Sequence, residues 1–142
     1  MQINEIFEKV KEVIEESCGI DANEIELKKT LFGDLNIDSI DMVDILFELE
    51  TEYDIELKIS DLEKRSKEEM GGKPYEIGGV LTPEGLETLK KNMTEVNPNL
   101  FVEGLTVHQL MQLFTVHSLC KLVEYQIEQK KQSDENLSNL DR

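Results

Sequence analysis

Residues 34–53 read DLNIDSIDMVDILFELETEY, a polar turn followed by apolar residues at helical spacing. Asp38 is a favourable N-cap, and Asp41 takes the N3 position of an acidic capping box. Ile37 and Met42 have the spacing of a hydrophobic staple. The sequence therefore predicts a helix whose first residue is Ser39, which places a hydroxyl at a helix N-terminus between carboxylates.

Two kinds of side chain surround the axis of this predicted helix. The apolar residues form two neighbouring rows, which together predict a wide buried stripe: Met42, Leu46, Leu49 and Tyr53 in one row, and Ile40, Val43 and Phe47 in the other. Acidic residues stack on another face at helical steps: Asp41, Asp44, Glu48 and Glu52. This acidic face is either a solvated surface or a docking surface for Lys and Arg side chains of other proteins. Between residues 34 and 63 Lys58 is the one basic residue, which favours docking.

Periodicity and capping residues predict the remaining elements. A first helix from residue 3 ends at the C-cap Gly19, and a long loop covers residues 20–37. After a short helix from Ser60 to about residue 69, residues 75–81 are expected to form an exposed loop, and a helix covers residues 83–93. Thr106 and Thr115 are N-caps of two final helices. The last helix is expected to end near residue 129, before a disordered polar tail at residues 130–142.

Composition narrows the class of partner. The 142 residues include 31 acidic and 15 basic side chains, for a formal charge of −16. Such a field repels nucleic acid and anionic membranes and favours basic protein surfaces. Cys18 and Cys120 fall in apolar helical patterns and are interpreted as buried hydrophobes of a reducing compartment. We therefore expect a cytoplasmic monomer that neither binds nucleic acid nor inserts into a membrane.

Individual residues argue against a calcium-binding loop and against a catalytic serine. Asp34, Asn36 and Asp38 imitate the first ligands of an EF-hand loop, but Ser39 stands where its glycine is needed and Ile45 where its glutamate is needed. A nucleophilic serine needs a neighbouring base, and the two histidines, His108 and His117, lie at predicted helix starts where a structural role is typical. We expect no metal site and no catalytic residue. Ser39 instead suits the attachment of a phosphodiester, because a helix N-terminus favours an anion.

The Asp38-Ser39-Ile40-Asp41 motif, followed by MVDILFELE, resembles the attachment motif of the acyl carrier proteins. The resemblance extends to the first helix, to Leu31-Phe32-Gly33-Asp34-Leu35 and to the helix after Thr115. It implies an all-α, acyl-carrier-like bundle of three principal helices in one domain, residues 1–129. An insertion at about residues 57–104 would add short helices, and the C-terminal tail would be flexible. Asn36 replaces a residue that is usually glycine in the family.

The resemblance also implies a cofactor and partners. Ser39, flanked by Asp38 and Ile40, would bear 4′-phosphopantetheine, transferred from coenzyme A by a phosphopantetheinyl transferase. Its thiol would hold acyl chains as thioesters, sheltered by apolar residues: Val43, Leu46, Phe47, Val116 and Leu119. The acidic face would meet basic surfaces of acyl transferases, synthases or acyl-ACP ligases.

Several pathways and cargoes are compatible with such a carrier. The resemblance implies a role in fatty-acid, lipid or polyketide-type synthesis, and the extra length suggests a specialised pathway such as the acylation of lipopolysaccharide (lipid A). A peptidyl, aminoacyl or polyketide carrier has the same prosthetic group, and an unmodified acidic adaptor is a further reading. The insertion would enlarge the acyl pocket, select a partner or act as packing filler.

Overall fold

The computed structural model describes the backbone of residues 2–57 and 68–140, and side chains as far as residue 133. Three principal helices and two shorter ones occupy these ranges: α1 (Ile3–Cys18), α2 (Ser39–Tyr53), α3 (Pro83–Asn92), α4 (Val107–Met111) and α5 (Val116–Leu140). The predicted all-α bundle of three principal helices, with short helices from an insertion, is confirmed. A short antiparallel hairpin of strands β1 (Glu76–Ile77) and β2 (Val80–Leu81) is added to it.

The core forms where α1 packs against both α2 and α5. Each helix turns one stripe of apolar side chains inward at three- and four-residue steps. The buried members are Ile6, Val10, Val13 and Ile14 from α1, Met42, Ile45 and Leu49 from α2, and Val116, Leu119, Cys120, Leu122 and Val123 from α5. The first helix ends as predicted, at Gly19 with φ +70°. None of the helices in the described ranges is long and apolar enough to cross a membrane.

The loop before α2 is tied to the corner between α4 and α5 by backbone hydrogen bonds. Leu31 N donates to Phe114 O at 2.9 Å, and Val116 N donates to Lys29 O at 2.9 Å. Within the loop, Thr30 N donates to Asp34 Oδ2 at 3.0 Å, while Asp34 N donates to Thr30 Oγ1 at 2.8 Å. These bonds satisfy loop groups that would otherwise lack partners near the core. The loop therefore reaches the start of α2 in a fixed conformation.

The prediction of an exposed loop at residues 75–81 is wrong. Glu76 pairs with Leu81 and Ile77 with Val80, across a turn in which Gly78 and Gly79 have φ values of +60° and +84°. Two consecutive positive φ angles are what a two-residue type I′ hairpin requires. The hairpin also bonds the chain before α4, where Leu81 N donates to Leu105 O at 2.9 Å. Tyr75 and Leu81 are buried as a result.

The predicted end of the last helix is also wrong. Helix α5 continues through Leu140 and does not end near residue 129, so the described part of the predicted tail is helical. Residues 129–140 contain no Gly or Pro, and Gln, Lys, Glu and Leu are favourable helix formers. Lys130 holds this part of α5 against the end of α2, since its Nζ donates to Asp54 O at 2.7 Å. The predicted helix from Ser60 lies mostly outside the described residues.

The segment between α2 and α4 is docked onto the bundle through α3. Thr82 caps α3 as predicted, accepting a hydrogen bond from Gly85 N at 3.0 Å. Leu86 and Leu89 of α3 are buried, as is Met93 just after it. The observed α3 matches the predicted helix of residues 83–93 to within one residue.

A buried ion pair joins the same segment to α5. Glu95, whose side chain is 4% exposed, accepts hydrogen bonds from Lys121 Nζ at 2.8 Å and from Ser118 Oγ at 2.6 Å. Burial alone would raise the pKa of Glu95, but these two donors outweigh burial and hold the pKa below its ordinary value. The carboxylate is therefore ionised at neutral pH and binds the segment to α5 as a charged group.

Gly85 tests how α3 packs against the residue before the hairpin, because a Cβ at position 85 would overlap the backbone carbonyl oxygen of Tyr75. We expect Gly85→Ala to lower the free energy of unfolding by about 1–3 kcal/mol, the usual cost of overpacking. Glu87→Ala, on the exposed face of the same helix, is the control and should change it by less than about 0.5 kcal/mol. Urea unfolding followed by circular dichroism measures both. Equal stability of the two variants would contradict the docked position of α3.

Candidate functional site

Ser39 is the first residue of α2, and its side chain is exposed. Asp38 caps the helix as predicted, since Asp41 N donates to Asp38 Oδ1 at 2.7 Å. The backbone N–H groups of Ser39 and Ile40 lie in the first helical turn, where no intrahelical carbonyl is available to them. The hydroxyl is thus presented to solvent beside the positive end of a helix dipole.

A left-handed residue sets the direction in which the chain enters α2. Asn36 has φ +53°, a conformation that asparagine tolerates better than most residues with a side chain. The next residue, Ile37, is 3% exposed, and its N–H donates to Leu31 O at 3.0 Å. The turn therefore buries Ile37 and leaves the following residues, Asp38 and Ser39, at the surface. Asn36 takes the backbone conformation that a glycine would otherwise supply.

The four carboxylates of the predicted acidic face of α2 differ in exposure and in ion pairing. Asp44 and Glu48 are exposed, whereas Asp41 is half-buried. Glu52 is exposed and forms an ion pair with Lys9 of α1, with 3.4 Å between Lys9 Nζ and Glu52 Oε1. Asp44 and Glu48 are therefore the carboxylates of this face that are most available to another protein.

The prediction of a wide buried stripe on α2 is wrong for one of its two rows. Ile40, Val43 and Phe47 are 75%, 65% and 65% exposed. At 100° per residue this row lies opposite Ile45 and Leu49, which are fully buried. Ile45 belongs to the core, although it lies in neither of the two predicted apolar rows. We call Ile40, Val43 and Phe47 the outer apolar row.

A small apolar cavity of about 20 Å³ lies between α2 and α5. Its walls come from the loop, from α2 and from the last two helices: Leu31, Met42, Leu46, Phe114, Ser118, Leu119 and Leu122. Leu46 and Leu119 are thus two of the predicted acyl-pocket residues that line it, and Val116 is buried elsewhere in the core. Val43 and Phe47 belong to the outer apolar row, so the prediction that they line an acyl pocket is wrong. Leu31 and Phe114 were not predicted to line this cavity, because the backbone hydrogen bond from Leu31 N to Phe114 O joins residues far apart in the sequence.

The cysteines and histidines show no arrangement for catalysis at Ser39. Burial raises the pKa of the Cys18 thiol, and the carboxylates of Asp41, Asp38 and Asp44 raise it further. Burial also raises the pKa of Cys120, to about 12, so both thiols are protonated at neutral pH. Within the described part of the chain, neither His108 nor His117 is hydrogen-bonded to Ser39. The serine has an exposed hydroxyl and no activating base among these residues.

Comparison with known proteins identifies the family. The family model described as the phosphopantetheine attachment site matches residues 8–71, a range that includes Ser39. The acyl carrier protein of Clostridium acetobutylicum is 44% identical over 61 residues, which are 43% of this chain and 79% of that protein. This chain belongs to the acyl carrier protein family.

Two other members give the same result. The acyl carrier protein of Thermotoga maritima is 40% identical over 62 residues, 44% of this chain and 76% of its own length. That of Petrotoga mobilis is 36% identical over 64 residues, 45% of this chain and 75% of its own length. The family's cofactor is 4′-phosphopantetheine, and its members are carriers without catalytic activity of their own. The exposed hydroxyl at the capped start of α2 fits a covalently attached, anionic phosphodiester.

The backbone at Asn36 gives a prediction about the turn that precedes the serine. Asn36→Ala should lower the free energy of unfolding by about 1 kcal/mol, because alanine tolerates a positive φ less well. Asn36→Gly should preserve or raise stability, and the exposed Asn23, which lacks a positive φ, is the control position for an alanine substitution. Urea unfolding measures all three. A stable Asn36→Ala protein and a weakened Asn36→Gly protein would contradict the left-handed turn.

Proposed function

We propose that Ser39 is the residue that bears 4′-phosphopantetheine, and that the chain carries acyl groups as thioesters on it. The observation that supports this most is the exposed hydroxyl of Ser39 at the first position of a helix capped by Asp38. It lies within the residues matched by the attachment-site family. When bound, the group supplies a thiol that exchanges acyl chains.

The surrounding residues hold the attachment point without activating it. Asp38 uses its carboxylate to cap Asp41 N, so the amides of Ser39 and Ile40 remain for a phosphodiester oxygen. The carboxylates of Asp38 and Asp41 disfavour any contact of the phosphate with the surface other than with these two amides. Because no base contacts Ser39 among the described residues, a phosphopantetheinyl transferase supplies the base that removes its proton. Coenzyme A supplies the group in that reaction.

The outer face of α2 is the proposed docking surface for the transferase and for acyl-handling enzymes. The exposed outer apolar row begins next to Ser39, and the exposed carboxylates Asp44 and Glu48 lie beside it. Apolar side chains that become buried on binding supply affinity, while charges accelerate encounter with basic surfaces. A partner with a basic rim around an apolar depression matches both features, and it would hold Ser39 at its edge.

The acyl chain is proposed to enter between α2 and α5. The cavity lined by Leu46 and Leu119 is apolar, and its 20 Å³ is room for about one water molecule. The two helices must therefore separate for a hydrocarbon chain to be buried there. Transfer of its methylene groups out of water would favour that opening by about 0.8 kcal/mol each.

The attachment at Ser39 does not by itself determine which pathway uses the carried acyl group. Similarity to acyl carrier proteins favours an acyl cargo over a peptidyl or aminoacyl cargo, and it favours a modified carrier over an unmodified adaptor. No described residue identifies the acyl group, so a specialised lipid pathway such as lipid A acylation stays a prediction.

Loss of the Ser39 hydroxyl should abolish modification. We expect the intact mass of the wild-type protein to increase by one phosphopantetheine group after incubation with coenzyme A and a phosphopantetheinyl transferase. Ser39→Ala should show no increase, because the bond to phosphorus forms at its Oγ. Ser133→Ala, which removes another exposed serine, is the matched control and should be modified like wild type. Modification of Ser39→Ala would contradict the proposed function.

The docking surface predicts two kinds of rate effect on modification by the transferase. Phe47→Ser should slow the reaction about tenfold at any salt concentration, as expected for loss of an apolar anchor. Asp44→Lys with Glu48→Lys should slow it most at low salt, because salt screens the missing attraction. Ile77→Ser is the control, since Ile77 is 67% exposed on the hairpin and Phe47 is 65% exposed. Equal slowing by Ile77→Ser and Phe47→Ser would reject α2 as the docking surface.

A further inference from the structure

Helix α5 is fastened to the insertion at the turn that forms one wall of the apolar cavity. Glu95 accepts hydrogen bonds from Ser118 Oγ at 2.6 Å and from Lys121 Nζ at 2.8 Å, and Lys121 Nζ also donates to Asn92 O at 2.9 Å. Ser118, together with Leu119 and Leu122, lines the cavity between α5 and α2. The same turn of α5 therefore lines the cavity and carries the hydrogen bonds to Glu95.

The segment that carries Glu95 is itself fixed in the core. Met93 and Val96, on either side of Glu95, are 2% and 5% exposed. A displacement of α5 would therefore have to break the bonds to Glu95 or pull these two apolar side chains out of the core. Hydrogen bonds to a buried charged group are strong, because their loss leaves the charge without a partner. The insertion thus resists movement of α5.

The hydrogen bonds also set the chemistry of the cavity wall. Ser118 Oγ donates to Glu95 and accepts a hydrogen bond from Thr115 N at 3.0 Å. Both hydrogen-bonding functions of the hydroxyl are thereby occupied, so the wall offers a hydrocarbon chain no unsatisfied polar atom. The wall suits an acyl chain, but the cavity opens to one only if α5 moves away from α2.

We propose that the insertion is a clamp on α5 that limits how much of the acyl chain the carrier buries, with Glu95 as the specificity-determining residue. This proposal rests on the proposed function, since it concerns the same acyl cargo. Release of Ser118 and Lys121 from Glu95 lets α5 separate from α2 and admits a longer chain. An intact clamp leaves the distal part of a long chain outside the bundle, where an acyl-handling enzyme reaches it.

The first test compares carriers loaded with saturated acyl chains from butyryl to myristoyl. For each variant, the melting temperature of each acyl form is measured against that of its own unacylated holo form. In wild type the gain should level off at a given chain length, and in Glu95→Ala at a longer one. Glu95→Gln, which keeps the size of the side chain and an acceptor for Ser118, should lie between them. Lys131→Met removes an exposed ion pair with Glu128 inside α5 and should match wild type.

The second test needs no cofactor and uses the unmodified full-length protein. Hydrogen exchange of the α5 backbone amides at residues 118–123 should accelerate about tenfold or more in Glu95→Ala, as expected for loss of a hydrogen bond to a charged group. Glu95→Gln should show a smaller acceleration, and Lys131→Met none at these amides.

The outcomes separate the clamp from the proposed function. An unchanged chain-length limit in Glu95→Ala and Glu95→Gln, or an equal shift in Lys131→Met, would overturn the clamp even though loading succeeds. If Glu95→Ala does not fold, Glu95→Gln alone decides by the same comparison. Failure of every variant, including wild type, to accept phosphopantetheine would overturn the attachment at Ser39, while hydrogen exchange would still test the fastening of α5.

Discussion

The hydrogen bond from Asp41 N to the carboxylate of Asp38 fixes the residue at which α2 begins. Asn36, in its left-handed conformation, turns the chain so that Ile37 is buried and Asp38 reaches the helix end. A start one residue later would rotate every side chain of α2 by about 100° relative to the core. The exposure of Ser39, the burial of Ile45 and the position of the outer apolar row all depend on this one start.

One side of α2 is buried in the core, and the other is the proposed docking surface. Ile45 and Leu49 are buried in the core, while the outer apolar row faces solvent. An exposed row of large apolar side chains costs solubility, and in a folded protein such a row typically marks a binding surface. The neighbouring carboxylates keep the surface hydrated in the free protein. Packing in the core alone does not explain why large apolar side chains are exposed on α2. The proposed docking of a carrier on several enzymes does explain it.

Local signals were enough to predict much of the site. Asp38 as cap, Ser39 as first helical residue and Asn36 as a residue of unusual backbone angle each depend on neighbours within a few positions. The choice of face on α2 could not be predicted, because apolar residues surround most of this helix and the positions of α1 and α5 decide which of them are buried. Val43 and Phe47 were therefore misplaced.

The insertion was harder to predict, since its structure depends on distant partners. Tyr75 is buried because the hairpin bonds the chain near Leu105, and Glu95 is buried because Ser118 and Lys121 lie on α5. Neither relation leaves a periodic pattern in the sequence. The caps Thr82, Thr106 and Thr115 were found because capping is local. The end of α5 was missed because a polar composition was interpreted as disorder.

The carrier function depends above all on the identity of the modified residue. Fragmentation mass spectrometry of the full-length protein, isolated from cells that also express a phosphopantetheinyl transferase, measures this directly. We predict that every fragment carrying the added phosphopantetheine contains Ser39 and that fragments ending before it are unmodified. Phosphopantetheine on any other residue, or a protein that leaves those cells unmodified, would contradict the account.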